Sequence, residues 1–164
     1  MNARRITLAA ALTAVAMVLS YLESLIPPLT AIPGIKAGLA NIAVMLSLYL
    51  LGGREACVIS LLRVGLVSLL FGQAVGWFFG TLGAIFSLAV MLLLRHLGWS
   101  PVGVSVLGAM AHNVGQTVAA MLVLGTARVV YYLPVLVVSG VIAGVFVGLC
   151  AALLLARISP KIRK

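Results

Sequence analysis

The sequence contains no aspartate, and its 164 residues include only two glutamates, Glu23 and Glu55. Charged residues of both signs make up 8 %, against 64 % hydrophobic residues, and mean hydropathy is +1.30. A water-soluble domain needs far more charge to cover its surface, so the composition excludes one. Histidine and cysteine are equally scarce. His96, His112, Cys57 and Cys150 lie far apart in sequence, so no zinc-ligand spacing exists and no metal or cofactor is expected. The two cysteines fall inside apolar segments, where they read as small buried side chains.

What is present is apolar length. Residues 64–94 run for 31 positions without a charge, and about 20 apolar residues suffice to cross the hydrocarbon core. The chain is therefore expected to be integral to the lipid bilayer. Its net charge of +9 does not point to nucleic acid, because the basic residues stand at the ends of apolar runs and form no clustered polar patch. Residues 1–24 resemble a signal peptide, with Arg4, Arg5 and an Ala-Val-Ala at 14–16. The apolar run continues past that point, so the segment is read as a retained helix.

Breakers and charges divide the chain into six expected spans within a single membrane domain, 1–164. They cover 6–25, 38–51, 55–71, 74–94, 101–124 and 134–156. Pro27-Pro28, Gly52-Gly53, Gly72, Pro101 and Pro134 set the limits, since proline removes a backbone donor and crowds the preceding turn. Spans two and three are short. They count as spans because this places Arg4, Arg5, Arg54, Arg95, Arg157, Lys161, Arg163 and Lys164 on one side and only Lys36 and Arg128 on the other. That bias puts both termini in the cytoplasm of a multi-pass cell-membrane protein. Small residues repeat every four positions at Gly72, Gly76, Gly80 and Ala84, and again at Gly140, Gly144, Gly148 and Ala152. Such faces let neighbouring backbones approach closely, and packing within one bundle is preferred over dimerisation. Ala10 and Ala14 form a similar face on the first helix, suited either to internal packing or to docking a second subunit.

Ionisable and amide side chains inside a membrane are costly and usually face a cavity or a partner. Arg63 lies at mid-depth, too deep to snorkel easily, so a cavity-facing position is expected. In the segment AHNVGQ, 111–116, His112, Asn113 and Gln116 fall on one helical face, as a polar pocket or as a structural network. Lys36 and Asn41 precede or open the second helix, where a cation beside free helix amides makes either an anion clamp or a solvated loop lysine. Glu23 stands near the end of the first helix as a counter-ion for Lys36 or Arg63, or as plain interface. Tyr21, Trp77, Tyr131 and Tyr132 suit an aromatic belt, with Trp77 also a candidate to stack on a bound ring.

The segments IPGIKAGLANI at 32–42, YLLG at 49–52, REA at 54–56, LRV at 62–64, FG at 71–72 and AHNVGQ at 111–116 resemble the heptaprenyl diphosphate synthase component I family, also called the Gx transporter family. The resemblance runs over about residues 8–155. This family is grouped with the substrate-binding S components of energy-coupling factor (ECF) transporters. It implies six helices with both ends inside and a ligand pocket near the outer face. It also implies docking onto a transmembrane coupling subunit through Ala10 and Ala14, with two cytoplasmic ATPases supplying energy. The chain has no phosphate-binding glycine loop of its own. The family label points instead to prenyl chain synthesis. That chemistry requires Mg²⁺ on clustered carboxylates, and Glu23 and Glu55 are expected on opposite sides of the membrane. The sequence thus reads as a non-enzymatic S component importing a small, anionic, vitamin-like solute held by Lys36, Asn41, Arg63, Trp77, His112, Asn113 and Gln116. The alternative is a non-catalytic accessory subunit of polyprenyl diphosphate or quinone synthesis.

Overall fold

A computed structural model describes residues 3–25, 38–71 and 74–162. Six α-helices follow one another: α1 (Ala3–Leu25), α2 (Ala40–Leu50), α3 (Gly53–Phe71), α4 (Ala74–His96), α5 (Pro101–Leu124) and α6 (Leu133–Ile162). Among the described residues there is no strand. Local chemistry sets the boundaries. At the start of α5 the Ser100 hydroxyl accepts the Gly103 N–H at 3.2 Å, and Pro101 takes the first helical position, where no amide is needed. Gly125 then ends the helix at φ +62°, a conformation a side chain would strain. A short 3-10 helix, Ala127–Tyr132, leads into α6.

The structure corrects several expected limits. Helix α6 continues beyond 156 to Ile162, and the 3-10 segment before it was not anticipated. The second span, expected over 38–51, is an α-helix of only 11 residues, because Gly38 at φ +74° and Leu39 form a turn ahead of it. At 1.5 Å per residue, α2 covers roughly 16 Å, about half the hydrocarbon thickness. Among the described residues, four segments are long and apolar enough to cross a membrane: Ala3–Leu25, Val75–His96, Pro101–Leu124 and Ala127–Ile158. Helix α3 is long enough but carries Arg54, Glu55 and Arg63. Leu69, Ile142 and Leu153, each at least two-thirds exposed, show how apolar the outer surface is. This surface is that of a membrane protein.

Helix α2 is central. Every residue from Ala43 to Leu48 is buried, which is possible only if neighbours surround the helix. Val44, Met45 and Leu48 join Leu88, Met91, Val104 and Val147 of α4, α5 and α6 in one core. On the other side Leu46 meets Leu12 of α1 and Ile59 of α3. Helices α4, α5 and α6 lie side by side in a slab. A Cβ added to Gly115 would lie 2.6 Å from the Leu82 carbonyl oxygen, and one on Gly144 2.6 Å from the Val106 Cα. Gly148 meets the Val102 Cα equally closely, at 2.7 Å. Where lipid is as apolar as the side chains, such backbone approach is what holds helices together. The glycine face of α6 is therefore spent on α5, as internal packing predicts. A Cβ on Gly80 of α4 would lie 2.9 Å from the Val64 side chain of α3, again within the bundle.

One end of the bundle collects charge. Arg5 of α1 donates to the Leu51 carbonyl at the end of α2 and pairs with Glu55 of α3 at 3.0 Å. The Arg95 guanidinium stacks 5.3 Å from the Tyr49 ring, tying the end of α4 to the end of α2.

Candidate functional site

At the opposite end, the bundle does not close. A partly open cavity of about 150 Å³ lies between the end of α1, the start of α2, the middle of α3 and the adjoining parts of α4, α5 and α6. The shortness of α2 makes room for it, since the helix begins at Ala40 beside the cavity. Glycines widen it further: Gly76 and Gly80 on α4 and Gly140 on α6 supply wall without side chains.

Asn41, Arg63, His112, Asn113 and Gln116 all line this one space, although they come from three helices. Arg63 lies ten residues into α3, about 15 Å along its axis. Its Nε is enclosed and has no hydrogen-bond partner among the described residues. A buried N–H without a partner is costly, and a cationic side chain at membrane depth usually faces a cavity or a partner, which makes Arg63 the leading candidate here. Beneath Arg63 a second space of about 30 Å³ continues inward past Ser60, Ser87 and Ser105, with room for a water or two.

The α5 segment divides its roles. The Asn113 amide donates to the Leu136 carbonyl in the first turn of α6, which also accepts from Ser139 at 2.8 Å, so Asn113 joins two helices as well as facing the cavity. Gly140 permits this, because a Cβ there would come within 2.7 Å of Asn113 Nδ2. The His112 ring lies over Gly83, which leaves no space for a side chain beneath it.

Glu23 also reaches the cavity wall. Its carboxylate accepts the Gly38 N–H at 2.6 Å, joining the end of α1 to the turn before α2. The sequence offered Glu23 as a possible counter-ion but not as a site residue. The signal was there, since it is the only acidic residue in that part of the chain. Ser68 and Ser139, also on the wall, gave no such signal.

One expected site residue is not brought to the cavity, and another falls outside the described residues. Trp77 is half exposed on the outside of α4 and does not line it. Gly76 and Gly80, four residues apart, share the inward face, and the next position is rotated about 100° away from it. Lys36 lies outside the described residues, as do the prolines before it. Ala10 and Ala14 are exposed, while Leu12, Ala16 and Ser20 form the face of α1 turned into the bundle. Cys57 and Cys150 are free, partly buried thiols.

Comparison with curated proteins and with solved structures returned no match. A family model described as heptaprenyl diphosphate synthase component I matches residues 12–154, from within α1 to within α6.

Proposed function

Since this chain belongs to the heptaprenyl diphosphate synthase component I family, we propose that it works as a binding subunit in the membrane, the S component of an ECF-type transporter. The observation that carries this reading is Arg63, its enclosed Nε without a hydrogen-bond partner among the described residues, lining a cavity shared with Asn41, His112 and Gln116. A pocket with a few convergent polar groups is what a small polar solute requires. In this reading α2 and α3 count as membrane segments and all six helices form one bundle. The end bearing Arg5, Arg54 and Arg95, with both termini, is cytoplasmic by the positive-inside bias. The cavity then opens outward. The exposed Ala10 and Ala14 face docks the transmembrane coupling subunit, whose two ATPases supply the energy.

The family description favours a second reading, a membrane accessory subunit partnering another component of prenyl diphosphate synthesis. Cavity size weighs against a prenyl ligand inside the bundle. An apolar cavity of about 150 Å³ holds a molecule the size of benzene, and a seven-unit prenyl chain is several times larger. Catalysis is not proposed for either reading. Glu55 pairs with Arg5, and Glu23 lies 18 residues further along α1, roughly 27 Å away at the helical rise. Two carboxylates so far apart cannot share a metal-bound diphosphate.

Native mass spectrometry of the detergent-purified protein separates the readings. A defined small polar mass that co-purifies and disappears in Arg63→Ala supports solute binding. A protein without such a mass, unshifted by polar metabolites but shifted by prenyl diphosphates, supports the accessory role instead.

A further inference from the structure

The cavity contains two opposite charges that do not meet. Glu23 and Arg63 both line it, yet no carboxylate oxygen of Glu23 lies within 4.0 Å of an Arg63 nitrogen. In a medium of low dielectric, opposite charges this near normally close into a hydrogen-bonded pair, because the attraction is large and each alone is poorly solvated. Here both are held back. Glu23 is tied to the Gly38 amide, and that amide is fixed by a turn with φ +74°. Arg63 is rooted in the middle of α3 with its Nε enclosed.

From this arrangement we propose that the cavity recognises a small zwitterion, whose anionic group binds Arg63 and whose cationic group binds Glu23. The proposal rests on the reading of the cavity as a solute site and narrows its ligand class. The Glu23 carboxylate and the Arg63 guanidinium are opposite in charge, so a ligand carrying one charge of each sign leaves both compensated. A phosphate monoester or diphosphate would leave net negative charge buried at membrane depth, at a cost of several kcal/mol. The amides of Asn41 and Gln116 supply neutral donors and acceptors around the two charged groups. The volume limits the ligand to about six to ten non-hydrogen atoms, the size of an amino acid or a betaine.

The test is equilibrium dialysis of the full-length protein in detergent, with the retained solutes identified by mass spectrometry. The probe is a pool of α- and ω-amino acids and betaines, each accompanied by the matching amine and the matching carboxylic acid. Zwitterions should be retained and their single-charge analogues should not. Glu23→Gln keeps an oxygen acceptor for the Gly38 amide, so the fold is preserved; an unchanged unfolding temperature checks this. It should weaken zwitterion binding by about 10- to 100-fold, the value of one charge-assisted hydrogen bond. Arg63→Gln should abolish retention. Retention of carboxylic acids without a cationic group, indifferent to Glu23→Gln but lost in Arg63→Gln, overturns the zwitterion assignment and leaves solute binding standing. Retention of zwitterions unchanged in both variants overturns the assignment of the two charges, and retention of nothing overturns the solute site as well.

Discussion

Adding one methyl group to Gly144 should measurably loosen the bundle. The new Cβ would lie 2.6 Å from the Val106 Cα and 3.1 Å from the Ser105 carbonyl oxygen. Carbon atoms prefer 3.5–4.0 Å, so relief requires α5 and α6 to part by roughly 1 Å along their seam. The atoms in the way are backbone and cannot rotate aside. Overpacking of this kind costs about 1–3 kcal/mol, while alanine returns up to about 1 kcal/mol through its better helix propensity. The net loss for Gly144→Ala is then about 1–2 kcal/mol, or roughly 3–6 °C in unfolding temperature for a chain of this size. Gly65 of α3 provides the control, because a Cβ there meets nothing within 4 Å. Gly65→Ala should raise the unfolding temperature by about 2 °C through propensity alone. A thiol-reactive dye reports unfolding directly, since Cys57 and Cys150 are free and partly buried. If Gly144→Ala melts at or above the wild-type temperature, close backbone approach is not what holds α5 to α6.

Other outcomes follow from the same geometry. Asn113→Ala should cost about 1 kcal/mol, because the Leu136 carbonyl keeps Ser139 as a donor. Asn113→Asp should cost about 2–3 kcal/mol, since it sets an acceptor against that carbonyl, and thermal melts of the two variants test the order. Trp77→Leu should leave solute affinity within about twofold, since the side chain lies off the cavity; a loss of affinity in the dialysis assay would restore Trp77 as a stacking partner. Ala14→Trp should leave folding and solute binding intact, because residue 14 faces away from the bundle, yet remove the coupling subunit from a co-purification. Continued association would sink the docking assignment.

Much of the helical layout was legible because membrane sequences punctuate clearly. Pro101 opens α5 where expected, and Gly125 closes it. The length of α2 was not legible. Residues 38–51 are uniformly apolar apart from Asn41, Ser47 and Tyr49, and hydropathy does not show whether a residue is in a turn or a helix. The positive φ of Gly38 decides it, at an amide bonded to the Glu23 carboxylate 15 residues earlier. The polar wall was more legible than the packing, because any polar group inside so apolar a chain must find a common space. Arg63, His112, Asn113 and Gln116 met on that rule alone. Trp77 lies off the cavity because Gly76 and Gly80 hold the inward face of α4, and one residue of helical rotation turns position 77 away from it. Asn113 kept both of its sequence readings, as cavity wall and as structural bond, since only the position of Leu136 reveals the second.

The seams around the cavity are not equal. Those between α4, α5 and α6 bring backbone against backbone at Gly115, Gly144 and Gly148, whereas α3 meets α4 through the Val64 side chain over Gly80. The cavity thus has one tightly seamed jaw and one loosely seamed jaw. His112 and Gln116 stand on the tightly seamed side together with Asn41, whose helix packs against α4, α5 and α6, while Arg63 stands on the loosely seamed one. Any widening that admits a solute should follow the side-chain seam and carry Arg63 away from the amide wall. Strength of grip and ease of release would then be set by the same motion.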